Sequence, residues 1–247
     1  MLKNIAESIN AQISSHVLNQ EALSKLALAA FFAGGHILLT GPTGLGKTTW
    51  ARAFAGALCV NCSQVRLTND IRYDEIFGTG QHTGFVIATH EENLVLSESL
   101  KDRFMMTLHV NYPGVVAEKQ ILQMHHVNDV NNQEFTPLYT PEVLIQAKQE
   151  VQAVAVEDAI FNYIISIVET TRRVGAVQTG VSIRGSIALL QAAKAYAAIN
   201  GRDYVELDDV RSLALPVLRH RINLKPDAIN EGMQADRIIE SIIAGRR

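Results

Sequence analysis

Apolar positions follow two different rhythms along this chain, and the change from one to the other divides it. In the first half they gather into runs at residues 36–40, 64–68, 85–89 and 106–110. Each run is short, apolar and β-branched, as parallel strands covered on both faces require. Residues 21–33 place apolar side chains at helical spacing and end at Gly34-Gly35, a pair suited to a helix C-terminus. Residues 48–59 read as an Ala-rich helix. Past Asn111-Tyr112-Pro113-Gly114 the rhythm is helical, with no convincing strand from 115 to 247. Thr140-Pro141-Glu142 opens a new helix, with Thr140 as N-cap and Pro141 at the first helical position. Further helices are expected over 157–172, 183–200 and 208–219, the second closed by Gly201. There is no internal repeat and no low-complexity stretch. The predicted architecture is an α/β core with a parallel sheet over residues 1–128, followed by an all-helical lid domain over 129–247.

Composition narrows the classes of function. A chain of 247 residues, 47% hydrophobic and 19% charged, can bury a substantial core. Its net charge of −3, with Lys and Arg scattered, disfavours duplex nucleic acid and anionic membranes as partners. No charged-then-apolar leader is evident, and no apolar run reaches the roughly 18 residues of a membrane span. The expectation is a cytoplasmic protein without membrane insertion. Cys59 and Cys62 form a lone C-x-x-C. A zinc site would need a second pair and a redox site a thioredoxin-like setting, so reduced, half-buried thiols are expected. The eight histidines show no metal-ligand spacing, and His125-His126 are neighbours that cannot share a helix face.

The first strand-like run leads directly into Gly41-Pro42-Thr43-Gly44-Leu45-Gly46-Lys47-Thr48, followed by Thr49 and the Ala-rich helix. This spacing, G-x-x-x-x-G-K-[ST], describes a phosphate cradle. Its glycines let backbone N–H groups turn inward, Lys47 reaches the β and γ phosphates of ATP, and the Thr48 hydroxyl is the natural first ligand of Mg²⁺. The helix that follows points the positive end of its dipole at the anion. Until phosphate arrives, Lys47 is expected to face solvent.

Several further segments resemble the MoxR family of AAA+ ATPases over nearly the whole chain. Val17-Leu18-Asn19-Gln20 is similar to the family's adenine-side box, with Asn19 where glycine is usual. Residues 33–39 resemble its lead into the phosphate loop, and Ser97-Glu98-Ser99-Leu100-Lys101-Asp102-Arg103-Phe104 its arginine-finger segment. The most specific match is the ordered series Val181-Ser182-Ile183-Arg184-Gly185-Ser186, Gly201-Arg202-Asp203-Tyr204-Val205 and Leu218-Arg219-His220-Arg221. The resemblance implies an ATPase that remodels or matures a protein client. It also implies a ring of six identical subunits and a von Willebrand A-domain partner. Arg184 takes the sensor 2 place, folding over the phosphates in cis, and Arg103 acts in trans on a neighbour's ATP. From the residues alone, Arg184 at a helix start reads equally as a solvated side chain, and Asp102-Arg103 as a surface ion pair. A small P-loop kinase fits the C-terminal helices poorly, and a DNA-directed ATPase fits the net acidity poorly.

One family feature is missing. The acidic Walker B strand, which serves Mg²⁺ and the attacking water, does not occur between the phosphate loop and the finger segment. The 36 residues between Thr48 and Phe85 already hold a helix, a strand and a loop, and a further strand-plus-crossover unit needs roughly 30. The sequence steps from Gln81-His82-Thr83-Gly84 to the sensor 1 strand at 85–89, where His90-Glu91 replace an expected Gln-Asn pair. Strand 64–68 is then forced against 85–89, or that edge is poorly ordered. Glu91 and Glu92 follow an apolar strand and form a makeshift Mg²⁺ or water site in one reading, a degenerate loop in the other. A nucleotide-loaded scaffold with little hydrolysis is the alternative to an active ATPase.

Overall fold

The computed structural model describes residues 1–58, 62–67, 76–77, 84–90, 96–127 and 137–245. Strands β1 (Ile37–Thr40), β2 (Cys62–Arg66), β3 (Phe85–Thr89) and β4 (Met106–His109) form one parallel sheet in the order β2-β3-β1-β4. Alternation along the strands separates two apolar layers. Ile37, Leu39, Phe85, Ile87 and Met106 join the main core, whereas Leu38, Val86 and Ala88 pack with Phe77 and Phe104 in a second cluster.

Helices α1 (Leu2–Ser14), α2 (Glu21–Phe32) and α3 (Lys47–Leu58) contribute to the main core. Trp50 of α3 is buried there, stacks on Phe54 at 4.9 Å between ring centroids, and donates its indole N–H to Ser24 of α2 at 3.0 Å. Helix α1 was not among the predicted elements. Its apolar face of Leu2, Ile5, Ile9 and Ile13 is fully buried, and that face rather than any terminal cap holds it in place.

Of the two outcomes expected at this edge, the structure shows the pairing. Five consecutive pairs, Cys62↔Phe85 through Arg66↔Thr89, join β2 directly to β3, and the Leu67 N–H continues the ladder to the Thr89 carbonyl at 2.9 Å. β2 begins earlier than predicted, and it is half-exposed rather than covered on both faces because it is the edge of the sheet.

After α4 (Glu98–Lys101) and α5 (Val115–Val127), the chain builds a helical lid from α6 (Pro141–Ala153), α7 (Asp158–Arg173), α8 (Ile183–Ile199), α9 (Leu207–Leu218), α10 (Pro226–Asn230) and α11 (Ala235–Ala244). It also contains one antiparallel ribbon, β5 (Val177–Thr179) with β6 (Asn223–Leu224), which the helical rhythm did not reveal. The Gly201-Arg202-Asp203-Tyr204-Val205 series proves to be a structural staple. Arg202 holds buried Asp209 through two bonds of 2.7 and 2.6 Å, and Asp209 in turn accepts the Glu206 N–H that opens α9. The predicted boundary at 128 falls outside the described residues, but the main core runs unbroken from α1 to α11. Among the described residues, no helix is long and apolar enough to cross a membrane.

Candidate functional site

The glycine-rich loop sits at the carboxyl end of β1, where α/β sheets bind ligands. Gly41 adopts φ +132, and a Cβ there would lie 2.4 Å from the Val110 carbonyl oxygen. Only glycine lets the loop leave the sheet so close to β4. Thr43, Gly44, Leu45, Gly46 and Thr49 then form one wall of a cleft of about 510 Å³, within the size range of small-molecule sites. His16, Val17, Leu18 and Gln20, of the segment that the resemblance sets beside adenine, also line it. Asn19 carries φ +57, the one positive φ outside glycine among the described residues. The position needs a left-handed backbone, and asparagine tolerates it where glycine is otherwise usual.

A third wall was not anticipated: Asn111, Tyr112 and Pro113 with Glu118, Ile121 and Leu122 of α5. The Asn-Tyr-Pro-Gly stretch was legible as the point where the rhythm changes, but its place in the cleft lining depends on tertiary packing.

Lys47 does not face solvent. It is buried, and its Nζ donates to the Gly41 and Pro42 carbonyls at 2.6 Å each. The ammonium is therefore drawn into the loop, and neither Lys47 nor Thr48 is among the residues that line the cleft. Thr48 and Thr49 lie exposed in the first turn of α3. The cradle suits phosphate on its geometry. For Mg²⁺ the described residues offer the Thr48 hydroxyl, and no cluster of three or more His, Cys, Asp or Glu side chains occurs among them. Glu91 and Glu92 lie outside the described residues. His90 is buried at the end of β3, its N–H bonded to the Leu39 carbonyl at 2.8 Å beside the start of the loop.

Neither Arg103 nor Arg184 is among the residues that line the cleft. Arg184 begins α8. Its Nη1 instead pairs with Asp102 Oδ2 at 2.8 Å, next to exposed Arg103. The other oxygen of Asp102 accepts Nε of buried Arg221 at 2.9 Å. Asp102, in one reading a surface partner of Arg103, bridges the two lid arginines Arg184 and Arg221. Burial pushes the Arg221 guanidinium down, while its bond to Asp102 holds it up.

Beside it, His220 Nε2 lies 3.0 Å from the Phe104 carbonyl. A carbonyl only accepts, so Nε2 carries the proton and Nδ1 is left buried with no hydrogen-bond partner. Burial first, then the charge of Arg221, hold the imidazole well below its ordinary value of 6.5, opposed by the bond to Phe104, with Lys101 and Arg219 adding to the depression. The unfolded chain therefore binds this proton more readily than the folded one. Its stabilising contribution is complete above about pH 6.5 and is lost as pH falls from there towards the depressed value. Thermal unfolding should show stability declining on acidification from about pH 7 to about pH 5, by up to about 1.4 kcal/mol per pH unit from this group. His220→Gln should flatten that slope, and an unaltered slope would overturn the assignment.

Burial raises the Cys62 thiol to about 12, so it is an unreactive thiol at neutral pH. Cys59, its partner in the lone C-x-x-C, lies outside the described residues.

Comparison with known proteins agrees with this geometry. Residues 36–95 match the model of the AAA domain (dynein-related subfamily), and residues 169–242 that of the AAA lid domain. The chain is 30% identical to the uncharacterized protein YeaC of Bacillus subtilis, over 94% of this chain and 91% of that one. It is 24% identical to Chaperone MoxR1 of Mycobacterium tuberculosis, covering 94% and 79%. It is 22% identical to Protein MoxR of Methylorubrum extorquens, covering 91% and 89%. The YeaC alignment spans 292 positions against a chain of 247 residues, so stretches of that relative face gaps in this one. A solved structure from Cytophaga hutchinsonii, described as a candidate ATPase, superposes with a TM-score of 0.86 at 22% identity, over all of this chain and 95% of the other. That likeness shows a shared fold.

Proposed function

Because this chain belongs to the MoxR-type AAA+ ATPases, we propose that it binds ATP in the loop cleft and uses bound nucleotide to assemble with further copies of itself and act on a protein client. The observation that carries this reading is the cleft: Thr43, Gly44, Leu45, Gly46 and Thr49 of the glycine loop and first turn of α3 share one cavity of about 510 Å³ with His16, Val17, Leu18 and Gln20, and Lys47 is bonded to the carbonyls of Gly41 and Pro42 at the base of that loop. Lys47 holds the β and γ phosphates, the loop N–H groups and the α3 N-terminus neutralise them, and Thr48 contributes to a Mg²⁺ site. Bound Mg²⁺ would offset phosphate charge. Arg103 and Arg184 share the Asp102 side of the molecule rather than the cleft, which favours both reaching a neighbouring copy's nucleotide in trans. By family resemblance the assembly is a cytoplasmic ring of six with a chaperone-type role and a von Willebrand A-domain partner.

A second reading, a nucleotide-gated scaffold that hydrolyses little, is favoured by one observation. β2 is zipped onto β3, leaving no position between them for a Walker B strand.

Calorimetric titration of the full chain with ATP tests the cleft, and light scattering with and without ATP tests assembly. ATP should lower the protein concentration at which assemblies form, and Arg103→Ala should remove that gain by about tenfold or more, since a trans arginine finds its partner only on a nucleotide-loaded neighbour. Monomer at every ATP concentration would refute the assembly reading.

A further inference from the structure

We propose that Arg221 is a positioning residue that holds the arginine-finger loop from the lid, so that the seating of the lid determines whether Arg103 is presented to a neighbouring copy. This rests on the reading above that Arg103 acts in trans.

The finger loop is the short turn between α4 and β4. From the core side it is tied by the Met105 N–H to the His36 carbonyl at 2.8 Å, and by the Arg103 N–H to the Leu100 carbonyl at 3.2 Å. Its carbonyls point the other way, towards the lid. Arg221, in the 3₁₀ turn Arg219–Arg221 that follows α9, receives them. Nη2 donates to the Phe104 carbonyl at 2.7 Å and the Asp102 carbonyl at 3.3 Å, and Nη1 to the Met105 carbonyl at 3.0 Å. Nη1 also donates to the Val217 carbonyl of α9, and Nε to the Asp102 carboxylate.

One guanidinium thus binds main-chain oxygens on both sides of Arg103 while anchored to its own helix. The Arg221 side chain is 3% exposed, so water does not compete for these bonds. His220 adds a second bond to the Phe104 carbonyl. Five donors in a rigid plane match this set of acceptors; a lysine ammonium, a point charge with three donors, cannot span them.

The packing around the clamp reserves its space. A Cβ on Gly185 would lie 2.4 Å from Val181 Cγ1 and 3.0 Å from Arg221 Cδ. Gly185 therefore lets the first turn of α8 close over the arginine stem, and the residue before it, Arg184, takes the free oxygen of Asp102. Asp102 compensates the buried Arg221 charge and at the same time ties Arg184 to the finger loop. Any ligand or neighbour that draws Arg184 away changes the electrostatic setting of the clamp.

The experiment uses the full chain carrying Arg221→Gln, Arg221→Lys and, as a variant that keeps the guanidinium, Asp102→Asn. Hydrogen exchange without nucleotide is read over residues 100–106, with ATP affinity by calorimetry and ATP-driven assembly by light scattering. In Arg221→Gln, exchange at 103–105 should rise by about tenfold or more while α3 stays protected. ATP affinity should stay within about threefold, because Arg221 does not line the cleft. Assembly should weaken about as much as in Arg103→Ala, and the Arg103→Ala/Arg221→Gln double variant should be no weaker than Arg103→Ala alone, the signature of one unit. Lysine should not rescue. If Arg221→Gln does not fold, Asp102→Asn decides by the same readouts. Unchanged exchange at 103–105 in a folded variant overturns the proposal, as does a double variant whose losses add. Wild type that binds no ATP would sink the functional reading, while the exchange data would still decide the clamp.

Discussion

Lys47→Ala should abolish useful ATP binding, lowering affinity by roughly 10²- to 10⁴-fold. Two hydrogen bonds from an ammonium to phosphate oxygens contribute roughly 1.5 to 3 kcal/mol each, and every 1.4 kcal/mol is about a factor of ten. The structure adds a condition that sequence reasoning did not contain. Lys47 already donates to the Gly41 and Pro42 carbonyls, so binding exchanges those partners for phosphate rather than capturing a side chain from solvent. Removing the lysine should therefore also cost stability, about 1 kcal/mol for each loop carbonyl left to water, without disturbing the sheet. Calorimetry beside a thermal melt separates the two effects. An unaltered ATP affinity in a cooperatively folding variant would end the phosphate-loop assignment.

Turnover should be poor even where binding is tight. A positioned general base is worth about 10²- to 10⁴-fold, or roughly 3 to 5 kcal/mol of barrier. The sheet passes from β3 directly to β2 without the strand that would carry one. Mg²⁺-dependent phosphate release by the purified chain should thus fall far below the order of 1 s⁻¹ at which ordinary enzymes begin, and should barely exceed that of Lys47→Ala. Release at ordinary rates that disappears in Lys47→Ala would show the expectation to be wrong. Glu91 and Glu92 would then be the first residues to replace, since they follow β3 next to His90.

What the sequence disclosed follows from the range over which each interaction acts. The loop at 41–48, the four strands of the parallel sheet and helices α2, α3, α6, α7, α8 and α9 are set by neighbouring residues, and these were legible. The β2/β3 pairing was one of the two outcomes left open by how few residues lie between Thr48 and Phe85. The β5/β6 ribbon, of three residues and two, is too short for any period to show. α1 starts at the second residue with no side-chain cap to announce it, and only its buried face marks it as a helix. Arg184 carried the same local signal whether it ended on phosphate, in water or on Asp102; its destination depends on lid packing. The Arg221 bonds join residues separated by 116 to 119 positions, a range over which no local pattern speaks.

The β2/β3 zipper also bears on what could restore a fifth strand. Main-chain hydrogen bonding does not distinguish one strand from another, so these two form a continuous ladder without a seam. A segment offered from outside as a separate peptide would have to unfasten five residue pairs before it found a place, and it would push β2 outward by about 4.8 Å. Repair of this sheet is thus a matter of covalent order. The added strand must enter the chain between β2 and β3, ahead of Phe85, where it competes for β3 while the sheet is first forming.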